Sequence, residues 1–247
     1  MASVKEAVPN TPITYLPLDL ASFDSIASAV KMVESQSDRL DVLMNNAGIM
    51  GTPPGTTQEG YEIQFGTNHM GHALLTRLLL PILRSTAQKP GSDVRIVNVT
   101  SEGHRLAPSG GILFDKAELD AVGPWARYGQ SKLSNILFTK GLAKRYPRIT
   151  TVATHPGVVL TDLYGPSQTS STIMRALAAV LGGLVGKPST GALNQVWAAS
   201  AAQDELTNGA YYTPIGKGSS GSGYAQDEQL ADRLWDWTER ELSSKGY

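Results

Sequence analysis

Short apolar runs alternate with longer amphipathic stretches along the chain, and this alternation restricts the fold more than any other feature. The runs rich in aliphatic or aromatic residues are Ile13–Leu20, Leu40–Gly48, Asp93–Ser101, Thr150–Gly157 and Gly209–Pro214. Strands of this composition, when helices separate them, are typical of a parallel sheet that is covered on both faces. The sequence therefore predicts an α/β fold with a doubly wound parallel sheet in three layers.

Helical patterns connect these runs. The first begins after Ser22, a favourable N-cap residue, and places its apolar side chains on one stripe. A longer pattern runs from Gln58 to Gln88, and Pro81 within it predicts a kink. A third pattern runs from Trp125 to Tyr146.

Composition limits the partners and the compartment. The 247 residues suffice for one α/β domain, and 41% hydrophobic with 17% charged residues is typical of a globular protein. A formal net charge of −1 gives no basic surface for nucleic acid. Cysteine is absent, and the longest apolar run, Ala176–Val185, is about half of what a membrane helix needs. We expect a single cytoplasmic domain, residues 1–247, without a transmembrane segment.

Small and polar residues follow four of the predicted strands. They are Asp19, Asn45–Gly48, Ser101 and His155–Gly157. The carboxyl ends of parallel strands meet at one edge of a sheet, and α/β proteins bind their ligands there. The sequence therefore predicts a binding site at this edge.

Tyr128 and Lys132 are four residues apart in the third helical pattern, so both project from one face of the helix. A tyrosine with a free pKa of about 10 needs roughly 4 kcal/mol to exchange a proton near neutral pH. A cation about 4 Å away supplies an energy of this size at an effective dielectric near 20. The pair is typical of a tyrosine general acid–base, although a chance pair on a surface helix has the same spacing.

Two polar residues extend this set. Ser101 ends the strand before the helix, where its hydroxyl could bind a substrate carbonyl as charge develops on oxygen. Asn68 lies in an otherwise apolar helical stretch. It is either a buried amide that aligns a water or lysine, or a capping or solvent-facing residue.

The order and spacing of these motifs resemble the short-chain dehydrogenase/reductase family. The residues that carry the resemblance are NNAG at 45–48, NHMGH at 68–72, Ser101 after VNVT, YGQSK at 128–132 and HPGVVLT at 155–161. The resemblance is strongest to the branch of retinol dehydrogenases and protochlorophyllide reductase. It implies a Rossmann-like fold and NAD(P)-dependent hydride transfer between the nicotinamide and a carbonyl or alcohol carbon.

The resemblance also implies a role for each residue. Tyr128 would exchange the proton with the substrate oxygen, Lys132 would assist it and hold the nicotinamide ribose, and Ser101 would position the carbonyl. Asn68 would support the proton relay. The cofactor-binding residues implied are Asp19, Leu20, Asn46, Ala47, Gly48, Tyr128, Lys132, Pro156, Gly157, Val159 and Thr161.

One part of the family pattern, the glycine-rich turn T-G-x-x-x-G-x-G after the first strand, is absent from this sequence. We therefore expect a domain that is incomplete at its N-terminus, with low stability and weak cofactor binding. The residues that choose between NAD and NADP belong to the same absent part, and NADP is favoured only because related reductases often use it. The alternative function is a catalytically inactive relic or an interaction module.

Two other patterns suggest sites that the sequence context disfavours. Gly216, Gly218 and Gly221 have the spacing G-x-G-x-x-G, but they follow the last predicted strand and no helix begins at once. They predict a flexible surface loop. His69 and His72 lie on one helix without a third ligand type nearby, so we expect structural histidines and no metal.

The stretch Ser170–Lys187 follows the cofactor-binding segment that the resemblance implies. Its apolar residues, among them Leu177 and Leu181, can form one helical face. We expect a lid over a small apolar carbonyl or alcohol substrate, or alternatively a helix of the core. The family's long helices also suggest a homodimer.

Overall fold

The computed structural model describes residues 6–8, 10–157 and 188–247. The predictions for Val159, Thr161 and the lid at 170–187 therefore lie outside the described residues. The helices are α1 (Phe23–Gln36), α2 (Ile63–Phe65), α3 (Gly71–Ala87), α4 (Lys116–Ala121), α5 (Pro124–Arg145), α6 (Pro188–Gly191), α7 (Leu193–Ser200) and α8 (Glu228–Ser244). The strands are β1 (Val42–Asn45), β2 (Arg95–Val99), β3 (Thr150–Thr154), β4 (Tyr211–Tyr212) and β5 (Gly218–Ser219).

The strands form one sheet in the order β1-β2-β3-β4-β5. The first four run parallel, with Asn45 beside Asn98 and Asn98 beside Ala153, and β5 pairs antiparallel with β4. Helices cover the sheet, and β2 is buried along its whole length. The predicted α/β class with a parallel sheet is confirmed.

Local sequence signals explain where several helices begin. Ser22 caps α1 as predicted, because its hydroxyl oxygen accepts from the Ser25 N–H at 3.3 Å. Pro124 stands in the first turn of α5, where the missing N–H has no helical partner to lose. Asp227 caps α8 by accepting from the Leu230 N–H at 2.9 Å.

The long helical pattern of residues 58–88 has an irregularity that the sequence does not reveal. The helix begins at Ile63, and Gly66–Met70 between α2 and α3 is a π-helical turn. Asn68 lies within this turn, while Pro81 lies inside α3. Within a π turn a carbonyl accepts from the fifth following N–H instead of the fourth, as the Gly66 carbonyl does from the Gly71 N–H.

The predicted strand Ile13–Leu20 is wrong. The segment has no strand hydrogen bonds, and of its residues only Leu20 is buried. Tyr15 and Leu18 are exposed, and Pro17 offers no N–H to a neighbouring strand. β1 is therefore the edge strand of the described sheet.

The flexible loop predicted around Gly216–Gly221 is also wrong. The chain turns between Thr213 and Lys217, whose backbone groups bond at 2.9 Å, and Gly218–Ser219 then pairs with β4. The Gly/Ser stretch is thus a hairpin on the sheet edge. It is not followed at once by a long helix, in agreement with the interpretation that it is no phosphate loop.

The C-terminal helix α8 covers the long helices within the same chain. Trp235 stacks on Phe138 of α5 with ring centroids 5.6 Å apart, and His69 lies 3.0 Å from Thr238. Ion pairs flank these contacts, one of them between Lys144 and Asp232 at 2.7 Å. A homodimer through the face of α5 that α8 covers would therefore have to displace α8. The homodimer that the family's long helices suggest stays a prediction. In the described part of the chain, no helix has the length and hydropathy of a membrane span.

Candidate active site

Helix α5 buries Tyr128 and Lys132 side by side against the sheet. Each side chain is about 5% exposed, and Lys132 Nζ lies 5.9 Å from the centroid of the Tyr128 ring. The helical spacing places both on one face, and the fold turns that face inward. The two residues thus form a buried cation–aromatic pair at the carboxyl end of β2.

The environment of Lys132 makes its positive charge costly. Nζ donates to the carbonyl of Val99 at 3.3 Å, which also accepts from Asn135 Nδ2 at 3.1 Å. Burial lowers the pKa of Lys132 to about 8. The Thr100 hydroxyl anchors the helix by donating to the Lys132 carbonyl at 2.7 Å. Lys132 is therefore held close to the point where it can gain or lose its proton.

Ser101 lies directly after β2, and its side-chain oxygen accepts from the Gly103 N–H at 3.0 Å. A Cβ built on Gly103 would lie 2.6 Å from Tyr128 Cε1 and 3.3 Å from Ser101 Oγ. The Ser101 hydroxyl and the Tyr128 ring are consequently neighbours. Since one lone pair of Oγ already accepts a hydrogen bond, the hydroxyl proton is left to donate towards a ligand.

The Asn68 amide holds the loop that follows β1. Its Oδ1 accepts from the Ile49 N–H and its Nδ2 donates to the Ile49 carbonyl, both at 2.8 Å. Nδ2 also donates to Ser131 Oγ at 2.9 Å. A Cβ on Gly48 would lie 3.0 Å from Asn68 Oδ1 and 3.2 Å from Lys132 Nζ. The side chain is buried and fixes the loop, with Gly48 between it and the lysine.

The backbone carbonyl of Asn68, within the π turn, contacts the ring of His72. Nδ1 of His72 lies 3.0 Å from this oxygen, so that nitrogen carries the proton. Burial, helped by the nearby Lys132 cation and opposed by the bond to the Asn68 carbonyl, lowers the pKa of His72 to about 4. His69 is fully buried, and desolvation lowers its pKa to about 3. Both rings are neutral at pH 7.

The residues expected to bind cofactor differ in exposure. Asn46 and Ala47 are exposed at the end of β1. Leu20 is buried, with its carbonyl so close to α3 that a Cβ on Gly71 would approach it to 2.4 Å. Asp19 is exposed and accepts from the Ala21 N–H at 2.9 Å. These residues lie around the same end of β1 and the start of α3.

The end of β3 is fixed from the neighbouring helix α7. Asn194 Nδ2 donates to the carbonyls of His155 and Tyr212, each at 2.9 Å. Pro156 is partly exposed, and Gly157 is exposed with φ +83°. A left-handed backbone of this kind favours glycine, and a Cβ there would meet nothing within 4 Å.

Known proteins match both the sequence and the fold. The family described as short chain dehydrogenase matches residues 1–171. Short-chain dehydrogenase/reductase drtF of Aspergillus calidoustus is 37% identical over 256 residues, which covers 98% of this chain and 81% of that protein. Retinol dehydrogenase 13 of Homo sapiens is 37% identical over 228 residues and covers 88% of this chain and 65% of its own.

The chain belongs to the short-chain dehydrogenase/reductase family. Its likeness to the retinol dehydrogenase supports the branch that the sequence motifs suggest. A solved structure agrees: 3-ketoacyl-(acyl-carrier-protein) reductase of Brucella melitensis, complexed with NADH, has a TM-score of 0.58 and 25% identity. That alignment covers 79% of this chain and 74% of the reductase.

Sequence reasoning missed a chain of buried hydrogen bonds that supports the surroundings of Lys132 in this short-chain dehydrogenase site. Asn45, Asn98 and Thr139 form a buried chain, in which Asn45 Nδ2 donates to Asn98 Oδ1 at 2.8 Å and Asn98 Nδ2 donates to Thr139 Oγ1 at 2.9 Å. Thr139 Oγ1 in turn donates to the carbonyl of Asn135, the residue that shares the Val99 acceptor with Lys132. Polar residues inside strongly apolar runs were the available signal.

Proposed function

We propose that the chain is an NAD(P)-dependent oxidoreductase that interconverts a carbonyl and an alcohol. The observation that carries the proposal is the neighbourhood of Tyr128, Lys132 and Ser101 at the carboxyl end of β2, with Gly48 against the lysine. The same edge of the sheet is where α/β folds bind dinucleotides.

The chain's own groups would manage the proton and the substrate oxygen. The Ser101 hydroxyl, which accepts from the Gly103 N–H, donates to the carbonyl oxygen and holds it. Tyr128 gives its proton to that oxygen during reduction and takes it back during oxidation. The Lys132 cation, 5.9 Å from the centroid of the Tyr128 ring, stabilises the phenolate by about 3 kcal/mol at an effective dielectric of 20. The nicotinamide, when bound, supplies or accepts the hydride.

The residues at this edge fit a nicotinamide dinucleotide. Asn46 and Ala47 are exposed beside Gly48, and the Cβ position of Gly157 is open. We assign the adenosine part to Asp19, Leu20 and the Asn46–Gly48 loop. We assign the nicotinamide end to Lys132, Tyr128 and the segment that begins at Pro156 and includes Val159 and Thr161. NADP is our preferred cofactor over NAD.

The substrate is proposed to be a small apolar carbonyl compound or alcohol. Trp125 packs edge-on against Tyr128, with ring centroids 6.5 Å apart, and remains 39% exposed. Leu106 is 51% exposed at the end of the short helix that follows Ser101. These two side chains offer an apolar surface beside the reacting groups. A cytoplasmic location stays a prediction, and a homodimer would have to use faces that α8 leaves open.

The test compares Tyr128→Phe with the unmodified chain. Turnover of apolar ketones, aldehydes and alcohols is followed by NAD(P)H absorbance at millimolar cofactor. The Phe variant should lose about two orders of magnitude or more in kcat while its affinity for the cofactor is nearly unchanged, because it lacks only the transferable proton. Lys132→Ala should lower both kcat and the affinity for the cofactor. A Phe variant with most of the activity would exclude Tyr128 as the acid–base group, and an inactive unmodified chain would favour the inactive relic.

A further inference from the structure

His104 is fully buried and connects Ser101 to the Gly/Ser stretch, residues 216–223. It lies in the short helix Glu102–Leu106, three residues after Ser101. Its Nδ1 is 2.7 Å from the Ser101 carbonyl, and its Nε2 is 3.0 Å from the backbone nitrogen of Ser222. One imidazole thus bridges two segments that are 118 residues apart in the chain.

The partners of the ring allow one protonation state. A carbonyl oxygen can only accept, so Nδ1 must carry a proton. A backbone N–H can only donate, so Nε2 must be bare and must accept from Ser222. His104 is therefore neutral with the proton on Nδ1. An imidazolium would turn two donors, Nε2–H and the Ser222 N–H, towards each other.

The surroundings of His104 keep the two segments in close contact. The Tyr211 ring meets the imidazole edge-on at 5.5 Å, and its hydroxyl donates to Glu102 at 2.7 Å. Gly221 has φ +70°, and a Cβ there would lie 3.2 Å from Nε2. The glycine therefore lets the backbone approach the ring.

Burial is the largest influence on His104, and it lowers the pKa of the ring below 6.5. The neighbouring Arg105 cation lowers it as well, while the Glu102 carboxylate and the bond to the Ser101 carbonyl raise it. His155 is a second imidazole nearby, and its pKa is also lowered by burial. The neutral state is thus the stable one at pH 7.

We propose that His104 is a positioning residue of the active site, which fixes Ser101 by tying its carbonyl to the backbone of Ser222. The Gly/Ser stretch then supplies the Ser222 N–H that His104 accepts. This role differs from the phosphate binding that its G-x-G-x-x-G spacing would suggest. The inference rests on the proposed function, since it assumes that Ser101 binds the substrate carbonyl. Protonation of His104 breaks the link to Ser222, so acid should lower kcat by loosening Ser101.

Three variants separate the two halves of the link. His104→Asn keeps an amide N–H near the position of Nδ1 and loses the acceptor for Ser222. His104→Gln can place its amide oxygen near Nε2 and keep that acceptor, but it cannot titrate. His104→Phe keeps the ring volume and loses both bonds. Ser220→Ala, an exposed residue of the same stretch, is the matched control.

We expect about a tenfold loss of kcat for the Asn and Gln variants and a larger loss for Phe, with the KM for cofactor unchanged. The acidic limb of the kcat–pH profile should disappear in His104→Gln, and Ser220→Ala should match the unmodified chain. A merely structural role would lower the unfolding temperature and leave the pH profile unaltered. An acidic limb that persists in His104→Gln would overturn the proposal.

Nuclear magnetic resonance tests the link without turnover. Long-range proton–nitrogen spectra should show the Nδ1–H tautomer for His104, and hydrogen exchange of the Ser222 amide should accelerate as the ring becomes protonated. An Nε2–H tautomer, or an exchange rate insensitive to this protonation, would contradict the link. If the unmodified chain turns over no carbonyl compound, the proposed function fails, and these spectra still decide whether His104 holds Ser222.

Discussion

The Tyr128 ring lies directly against the backbone of Gly103, so that a Cβ at position 103 would be 2.6 Å from Tyr128 Cε1. Gly103 also donates its N–H to Ser101 Oγ at 3.0 Å. One residue without a side chain thus sets the distance between the proposed acid–base group and the proposed carbonyl-binding hydroxyl. A side chain at position 103 would have no room beside the Tyr128 ring.

Gly103→Ala should lower kcat by about 10- to 100-fold, since the methyl group must push the Tyr128 ring out of line with the substrate oxygen. Gly103 lacks a positive φ, so alanine suits its backbone and the effect comes from the collision alone. Steady-state kinetics should show the loss in kcat with cofactor affinity unchanged. Gly123→Ala is the control, because its φ is −68° and its Cβ would meet nothing within 4 Å. Equal kcat in both variants would contradict the packing argument.

Lys132→Met should stabilise the fold at pH 7 while it abolishes activity. The pKa of Lys132 falls from 10.5 to about 8 on burial, so the unfolded chain binds more protons between these values and stability rises with pH across that window. Below pH 8 the buried cation costs about 3 kcal/mol, which methionine removes. Loss of the Lys132 ammonium does not leave the Val99 carbonyl without a hydrogen bond, because that carbonyl still accepts from Asn135 Nδ2.

Urea unfolding at pH 7 and at about pH 10 measures this effect. The gain from Lys132→Met should be largest at pH 7 and shrink at the higher pH, where the native lysine is already neutral. Lys31→Met, at an exposed position of α1, should show no such difference. A loss of stability of equal size at both values would mean that the cation is fully compensated in the fold.

Much of the fold was predictable because local patterns and tertiary structure agree. Strands β1, β2 and β3 lie inside the predicted apolar runs, and the four-residue spacing of Tyr128 and Lys132 correctly places them on one helical face. The apolar run Ile13–Leu20 shows the limit of this reasoning. A strand also needs a partner with free backbone groups, and the apolar character of a run does not reveal whether one is available.

The details of the candidate site were less accessible, because they depend on backbone approach. The π turn around Asn68 leaves no sign in the sequence, because the spacing of NHMGH is the same in a regular helix. Likewise the bond from Ser222 to His104 joins residues that are 118 positions apart in the sequence. For the bond to Ser222, the local sequence offers only a histidine, His104, three residues after Ser101.

The packing of α8 predicts a monomer in solution. It covers a face of α5 through Trp235, which stacks on Phe138 and lies under the Arg145 guanidinium at 4.5 Å. Light scattering at micromolar concentration should give the monomer mass of 26.3 kDa. Trp235→Ala should lower the free energy of unfolding by about 3 kcal/mol and promote self-association, because it uncovers this apolar face. Twice the monomer mass for the unmodified chain would contradict the prediction.

The last prediction concerns how tightly the 247-residue chain holds its cofactor. No glycine precedes Gly48 in the sequence, so no glycine-rich turn of the dinucleotide type can supply backbone N–H groups to the pyrophosphate. In the proposed assignment, the adenosine and nicotinamide ends would still bind through the Asn46–Gly48 loop, Lys132 and Gly157. We therefore expect dissociation constants for NADPH and NADH that are weaker than micromolar, with NADPH the tighter ligand. Calorimetric titration of the purified chain measures both, and Gly48→Ala should weaken binding further, because its methyl group would crowd Lys132 Nζ at 3.2 Å. Micromolar binding by the unmodified chain would show that the pyrophosphate is held by other groups.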